Sequence, residues 1–163
     1  MLMPKLQPFP IKTQKMPFLK KLWLLFTRRR QWQLVENWYY VLRNNHTIVI
    51  PKGFTFDGSS YPFLVWLFFS PTGLLLVPVI LHDFCFKYGY LWGIQNGYVY
   101  KYRQEYGFMQ WNSLIRRIGI ERNQLSFIDY YIWLITTLFA WPIWQRYKKQ
   151  ALEDIIPSLE NGK

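Results

Sequence analysis

An imidazole with a carboxylate beside it, His82 and Asp83, stands at one end of a long apolar run, and a second carboxylate, Asp57, stands at the other. No charged residue lies between Asp57 and His82. Ionisable groups at the margins of apolar sequence are costly to desolvate, and tuned acid–base sites are built from such groups. Two chemistries suit the trio. His82 can act as a general base that activates water, with its tautomer fixed by Asp57 or Asp83. Alternatively, the imidazole and both carboxylates can ligate a divalent cation such as calcium. Ser59 and Ser60, next to Asp57, add hydroxyls that serve as ligands, as oxyanion donors or simply as turn formers. A third use involves no chemistry: a buried hydrogen-bond network that ties two elements together. The chain has no Gly-rich phosphate loop, no Gly-x-Ser-x-Gly elbow and no His-Glu-x-x-His, so the enzyme classes those motifs mark are not indicated.

The elements that must position these residues follow from pattern. WYYVLR and HTIVIP, residues 38–43 and 46–51, are β-branched and aromatic runs separated by Asn44 and Asn45, which tolerate left-handed turn geometry; they predict a hairpin. PKGFTFDG predicts a third short strand with Asp57 at its end. The remainder reads as helical. A helix starting near Pro78 puts Val79, His82, Asp83 and Phe86 on one face and closes at Gly89. A second helix is expected over 98–118, with Leu114, Ile115 and Ile118 on its apolar side, ending at Gly119; a third is expected from Gln124 to Lys149, kinked near Pro142.

Composition sets the outer limits. The chain has 163 residues, 51% of them hydrophobic and 21% aromatic, which suits one domain with a real core and excludes disorder. Twenty Lys and Arg against nine Asp and Glu give a net charge of +11, and no acidic residue precedes Glu36. That basic start attracts polyanions, either an anionic membrane surface or, less in keeping with the absence of any nucleic-acid motif, nucleic acid. Cys85 is the single cysteine, which excludes an internal disulfide and a cysteine-based zinc site within one chain. The apolar run Leu22 to Phe26 is too short for a signal peptide. Prolines at 62, 71 and 78 divide the uncharged run after Asp57 into pieces shorter than the ~20 residues a membrane span needs, so a buried core is the expectation there. FIDYYIWLITTLFAWPIW, followed by Arg146, Lys148 and Lys149, has the pattern of a core helix or an interfacial one. Asp129 within it reads as a helix-start charge.

PKGFTFDGSSYP followed by LHDFCFKYGY resembles a phage and prophage family known as domain of unknown function 1353, whose pattern is a strand ending PxGFxTDxxSxP, an apolar stretch and then HDxxY. Pro51, Gly53, Phe54, Asp57, Ser60, Pro62, His82 and Asp83 match it, with Phe86 in place of the tyrosine. The family pattern continues with a helix carrying RxxAD, where this chain has Arg103, Gln104, Glu105, Tyr106 and Gly107. Gly107 replaces the aspartate, which implies a His–Asp dyad or an inactive member rather than a metal site. His82, Asp83 and Cys85 are also similar to the HDxCY helix of phospholipases A2, but the single cysteine and the FDGSSYP segment depart from that family.

The sequence therefore predicts an α+β fold: a basic, Pro-rich arm over residues 1–32, one domain over 33–150 and a tail over 151–163. A small antiparallel sheet near residues 33–57 is packed by three to four helices. Two functions are expected. The first is a hydrolase-like centre of His82, Asp83 and Asp57 with Ser60 as auxiliary donor and Arg103 binding an anionic substrate group or pairing with Asp57, acting on lipid or cell-envelope material. The second is a non-enzymatic protein docking on an anionic membrane, or on a phage or host partner, through its arm and its aromatic C-terminal helix. Either suits the host cytoplasm or the inner-membrane surface.

Overall fold

The computed structural model describes residues 3–9, 17–19, 31–57, 75–150 and 152–158. Its fold is α+β: two antiparallel sheets of three and four strands, and four helices among the described residues. Strands β3 (Trp38–Val41) and β4 (Thr47–Ile50) form the hairpin that the sequence predicts, with Tyr39 opposite Val49 and Asn45 left-handed at φ 61° in the turn.

The sheet does not stop there. Strands β6 (Leu91–Gln95) and β7 (Tyr98–Tyr102) extend it in the order β3-β4-β6-β7, so the expected helix over 98–118 is corrected at its start. Asn96 and Gly97, at φ 52° and 79°, make a two-residue turn, and YVYKY alternates across the ladder as a strand does. Gly93 faces Tyr100, and a Cβ at Gly93 would run into the tyrosine ring.

The second sheet is a further correction. Strand β5 (Thr55–Phe56) does not continue the hairpin but pairs with β2 (Trp32–Leu34), which pairs with β1 (Leu6–Pro8). Residues 6–8 of the expected arm are thus an edge strand, with Leu6 opposite Leu34. The rest of the basic arm lies mostly outside the described residues.

Helix α1 (Leu76–Tyr88) has Pro78 in its first turn, where a missing N–H costs nothing, and ends at Gly89, whose N–H donates to the Cys85 carbonyl at 2.8 Å. Helix α2 (Phe108–Asn123) begins after Gly107, whose N–H donates to Gln110 Oε1. It runs straight through Gly119 and closes at Gln124, left-handed at φ 56°, not at the glycine. The expected helix from 124 to 149 is two helices, α3 (Ser126–Phe139) and α4 (Trp141–Lys149). Pro142 has no N–H for the carbonyl four residues back, so the chain breaks at Ala140 and the proline starts a new helix instead of kinking an old one.

Helix α1 is the centre of the molecule, packed by β5, β6, α2 and α4. Ile80, Leu81, Phe84 and Cys85 are fully buried in it, and Phe84 meets Phe54 edge-on at 5.0 Å. Full burial of each large apolar side chain contributes roughly 1.5–3 kcal/mol. A polar group on α1 is therefore held in a dry, fixed setting. The described part of the C-terminal tail is tied to the four-stranded sheet: Trp92 Nε1 donates to the Ile155 carbonyl at 2.9 Å and Lys101 pairs with Asp154 at 2.7 Å. Among the described residues no helix is long and apolar enough to cross a membrane; α3, at 14 residues, is about 21 Å long against a ~30 Å hydrocarbon core.

Candidate functional site

His82 and Asp83 sit mid-way along α1, as the spacing predicts, with Val79, His82 and Phe86 buried on one face. The imidazole is 6% exposed, its ring lies 3.8 Å from that of Phe86, and its Nδ1 is 3.6 Å from Asp83 Oδ1. That is longer than a hydrogen bond but close enough for the carboxylate to bias which ring nitrogen carries the proton. Asp83 Oδ2 is buried without a hydrogen-bond partner.

Asp57 follows β5 directly, at the strand end where the sequence places it. What links it to α1 is a residue that the sequence reading passed over. Lys87, one turn beyond Asp83, donates from Nζ to the carbonyl of Thr55 in β5 and lies over the Phe54 ring at 5.0 Å. Burial lowers its pKa, while Asp83 and then Asp57 oppose that shift, so both carboxylates act on one ammonium. The i, i+4 spacing of Asp83 and Lys87 on a helix was the signal available in the sequence.

The other candidates fall elsewhere. Ser60, with Ser59, Pro62 and the apolar run up to residue 74, lies outside the described residues. Arg103 is exposed on the turn after β7, left-handed at φ 56°, its guanidinium over the Tyr102 and Tyr106 rings and 3.5 Å from Glu105. Residues 103–107 form a turn leading into α2 and not the helix that the family pattern implies. Among the described residues, which include Asp57, His82 and Asp83, no group of three or more His, Cys, Asp or Glu stands close enough to hold a metal ion. The trio does not fit a divalent cation as a ready ligand set.

The opposite edge of the imidazole is more eventful. His82 Nε2 is buried without a hydrogen-bond partner, and His82 lines a cavity of about 20 Å³ between α1, α2 and α3. Its other polar walls are Asn112 and Arg116 from α2 and Asp129, Trp133 and Thr136 from α3. Asn112 Oδ1, Arg116 Nε, Asp129 Oδ2 and Trp133 Nε1 are likewise buried and unpartnered. Asp129, read from sequence as a helix-start charge, is in the first turn of α3 but only 4% exposed, accepting from Asn123 Nδ2 at 3.2 Å. Burial raises its pKa and the Asn123 bond partly offsets this. Positions 112, 116 and 119, and 129, 133 and 136, are helical stripes of polar or small residues that a search for inward-facing polarity would have found.

No curated protein and no solved structure matches the chain. Residues 32–112 match a family model, from β2 through Asp57, His82, Asp83, Lys87 and Arg103 to Asn112 in α2, and leave the α3 wall of the cavity outside the match. Through that segment the chain belongs to the family described as protein of unknown function (DUF1353).

Proposed function

We propose that the protein works at the surface of an anionic membrane, docked through the outer face of α3. One observation carries this reading. Phe127, Tyr130, Tyr131, Leu134 and Leu138 recur at helical spacing on α3, Phe139 and Trp141 follow, and all are exposed, Phe127 by 73%. The only ionisable carboxylate of that helix, Asp129, is turned inward. A water-facing helix surface with no charge is costly unless something apolar covers it.

Charge complementarity favours lipid as the cover. The Arg116 guanidinium lies 4.7 Å from the centre of the half-exposed Tyr130 ring, at the edge of the apolar face, and the following helix, α4, carries exposed Arg146 and Lys149. Rings and aliphatic groups flanked by cations suit the headgroup layer of an anionic bilayer. Co-sedimentation with anionic and neutral vesicles tests it. Salt-sensitive binding to anionic vesicles that is lost in Leu134→Glu with Leu138→Glu is expected. A concentration-dependent dimer that buries this face, with no vesicle binding, would overturn the reading in favour of a second copy.

A second reading is favoured by the unpartnered Nε2 of His82: the imidazole as a general base in hydrolysis of lipid or cell-envelope material, oriented by Asp83. Loss of any such activity in His82→Gln, with the fold intact by circular dichroism, is its test. Equal activity in the variant removes the catalytic role.

A further inference from the structure

We infer that the cavity between α1, α2 and α3 is a hydroxyl-binding site, and that its ligand is the glycerol headgroup of an anionic phospholipid. The inference rests on the membrane-docking reading and adds to it a lipid class and the residues that select it.

The cavity holds a concentration of unmet hydrogen-bonding capacity. His82 Nε2, Asn112 Oδ1, Arg116 Nε, Asp129 Oδ2 and Trp133 Nε1 are all buried and unpartnered, and all five residues line it. Native interiors rarely leave one such atom orphaned, so five around one space mark a place built for a polar guest. His82, Asn112 and Asp129 are each more than nine-tenths buried.

The chemistry of the walls selects the guest. Arg116 Nε and Trp133 Nε1 can only donate, whereas Asn112 Oδ1 can only accept. The guest must accept and donate at once, in a space of about 20 Å³. A hydroxyl group meets both demands; a carboxylate or phosphate oxygen meets only the first, and an ammonium only the second. A polyol hydroxyl makes there the hydrogen bonds that a water molecule would make.

The position of the cavity narrows the source. Its α3 wall, Asp129, Trp133 and Thr136, is the inner side of the helix whose outer side presents Phe127, Tyr130, Leu134 and Leu138. Arg116 belongs to both: its Nε is buried at the cavity while its guanidinium lies over the rings of Tyr130 and Trp133. A headgroup carrying a phosphate and, a few bonds away, a hydroxyl can set the first against the guanidinium and the second in the cavity.

The experiment compares phosphatidylcholine vesicles carrying equal mole fractions of phosphatidylglycerol or phosphatidylserine, lipids of equal net charge of which only the first presents glycerol hydroxyls. Binding about tenfold tighter to phosphatidylglycerol is expected, the effect of one or two good hydrogen bonds. Trp133→Phe, which keeps an aromatic ring and removes the indole N–H, and Asn112→Leu, which is close in volume and removes the carboxamide, should bring the two lipids level while leaving phosphatidylserine binding unchanged. Equal binding by the natural protein, or a preference that survives both variants, overturns the cavity assignment and leaves docking standing. Failure to bind either vesicle overturns docking and the lipid source. The cavity is then judged by titrating free glycerol phosphate against inorganic phosphate and following the indole N–H resonance that Trp133→Phe removes. A shift with glycerol phosphate alone upholds a hydroxyl site for a soluble ligand, and no shift ends the proposal.

Discussion

Gly119 and Asp129 share one space: the α-carbon of Gly119, in the middle of α2, faces the carboxyl group of Asp129 on α3, and a Cβ at 119 would overlap it. The glycine here is not a helix stop but a notch. It lets the two helices close while a carboxylate stays between them, which is how an acidic group comes to line the cavity at all.

Filling the notch should therefore cost stability despite the better helix propensity of alanine. Gly119→Ala is expected to lower unfolding free energy by about 1–3 kcal/mol, the usual range for overpacking, against the gain of roughly 1 kcal/mol that propensity alone gives. Urea denaturation checks the sign. A stabilised variant would mean that Asp129 moves aside freely.

Asp129 should also leave a mark on pH dependence. Burial raises its folded-state pKa above that of the unfolded chain, so its favourable contribution is complete below the unfolded value of about 3.9 and declines as pH rises through the raised folded value. Asp129→Asn removes that decline. The variant should gain stability relative to the natural protein as pH goes from acid towards neutral, read from urea midpoints at a series of pH values. A difference that does not change with pH would contradict the assignment.

Lys87 joins β5 to α1, through the Thr55 carbonyl and through Asp57 and Asp83. Lys87→Met keeps most of the packing over Phe54 and removes the ammonium. A loss of about 1.5–3 kcal/mol is expected, as for a hydrogen bond from a charged donor, together with faster amide exchange at residues 55–57. Unchanged stability would reduce Lys87 to a packing role.

The Lys101–Asp154 pair tests the tie between the C-terminal segment and the sheet. The Lys101 hydrogen bond holds the Asp154 pKa below the usual carboxylate range, so the pair's stabilisation is present above the unfolded carboxylate pKa and is lost as pH falls through the depressed folded value. Both side chains are about a third exposed, which keeps the contribution within about 1 kcal/mol. Asp154→Asn should make residues 152–158 more sensitive to proteolysis at neutral pH. Equal sensitivity would mean that the segment's other ties, among them the bonds from Trp92 and Asn37, suffice to hold it.

Local chemistry made much of this molecule legible in the sequence. The Asn45 turn, Pro78 in a first helical turn, the Gly89 cap, the α+β class and the position of Asp57 at a strand end each depend on a few neighbouring residues, and each stands as read. The hairpin at Asn96 and Gly97 is equally local, a turn dipeptide between two short aromatic runs, and the helical pattern begins only at Phe108. What the sequence could not decide was partnership across distance. Whether β5 joins the hairpin or β2, whether Gly119 ends a helix or makes room for Asp129, and which side of His82 meets polar groups depend on how α1, α2 and α3 stack. A side chain's spacing fixes the face it occupies, but only packing fixes what that face meets. So the sequence by itself marked His82, and the tertiary structure alone set Asn112, Arg116, Asp129 and Trp133 around it.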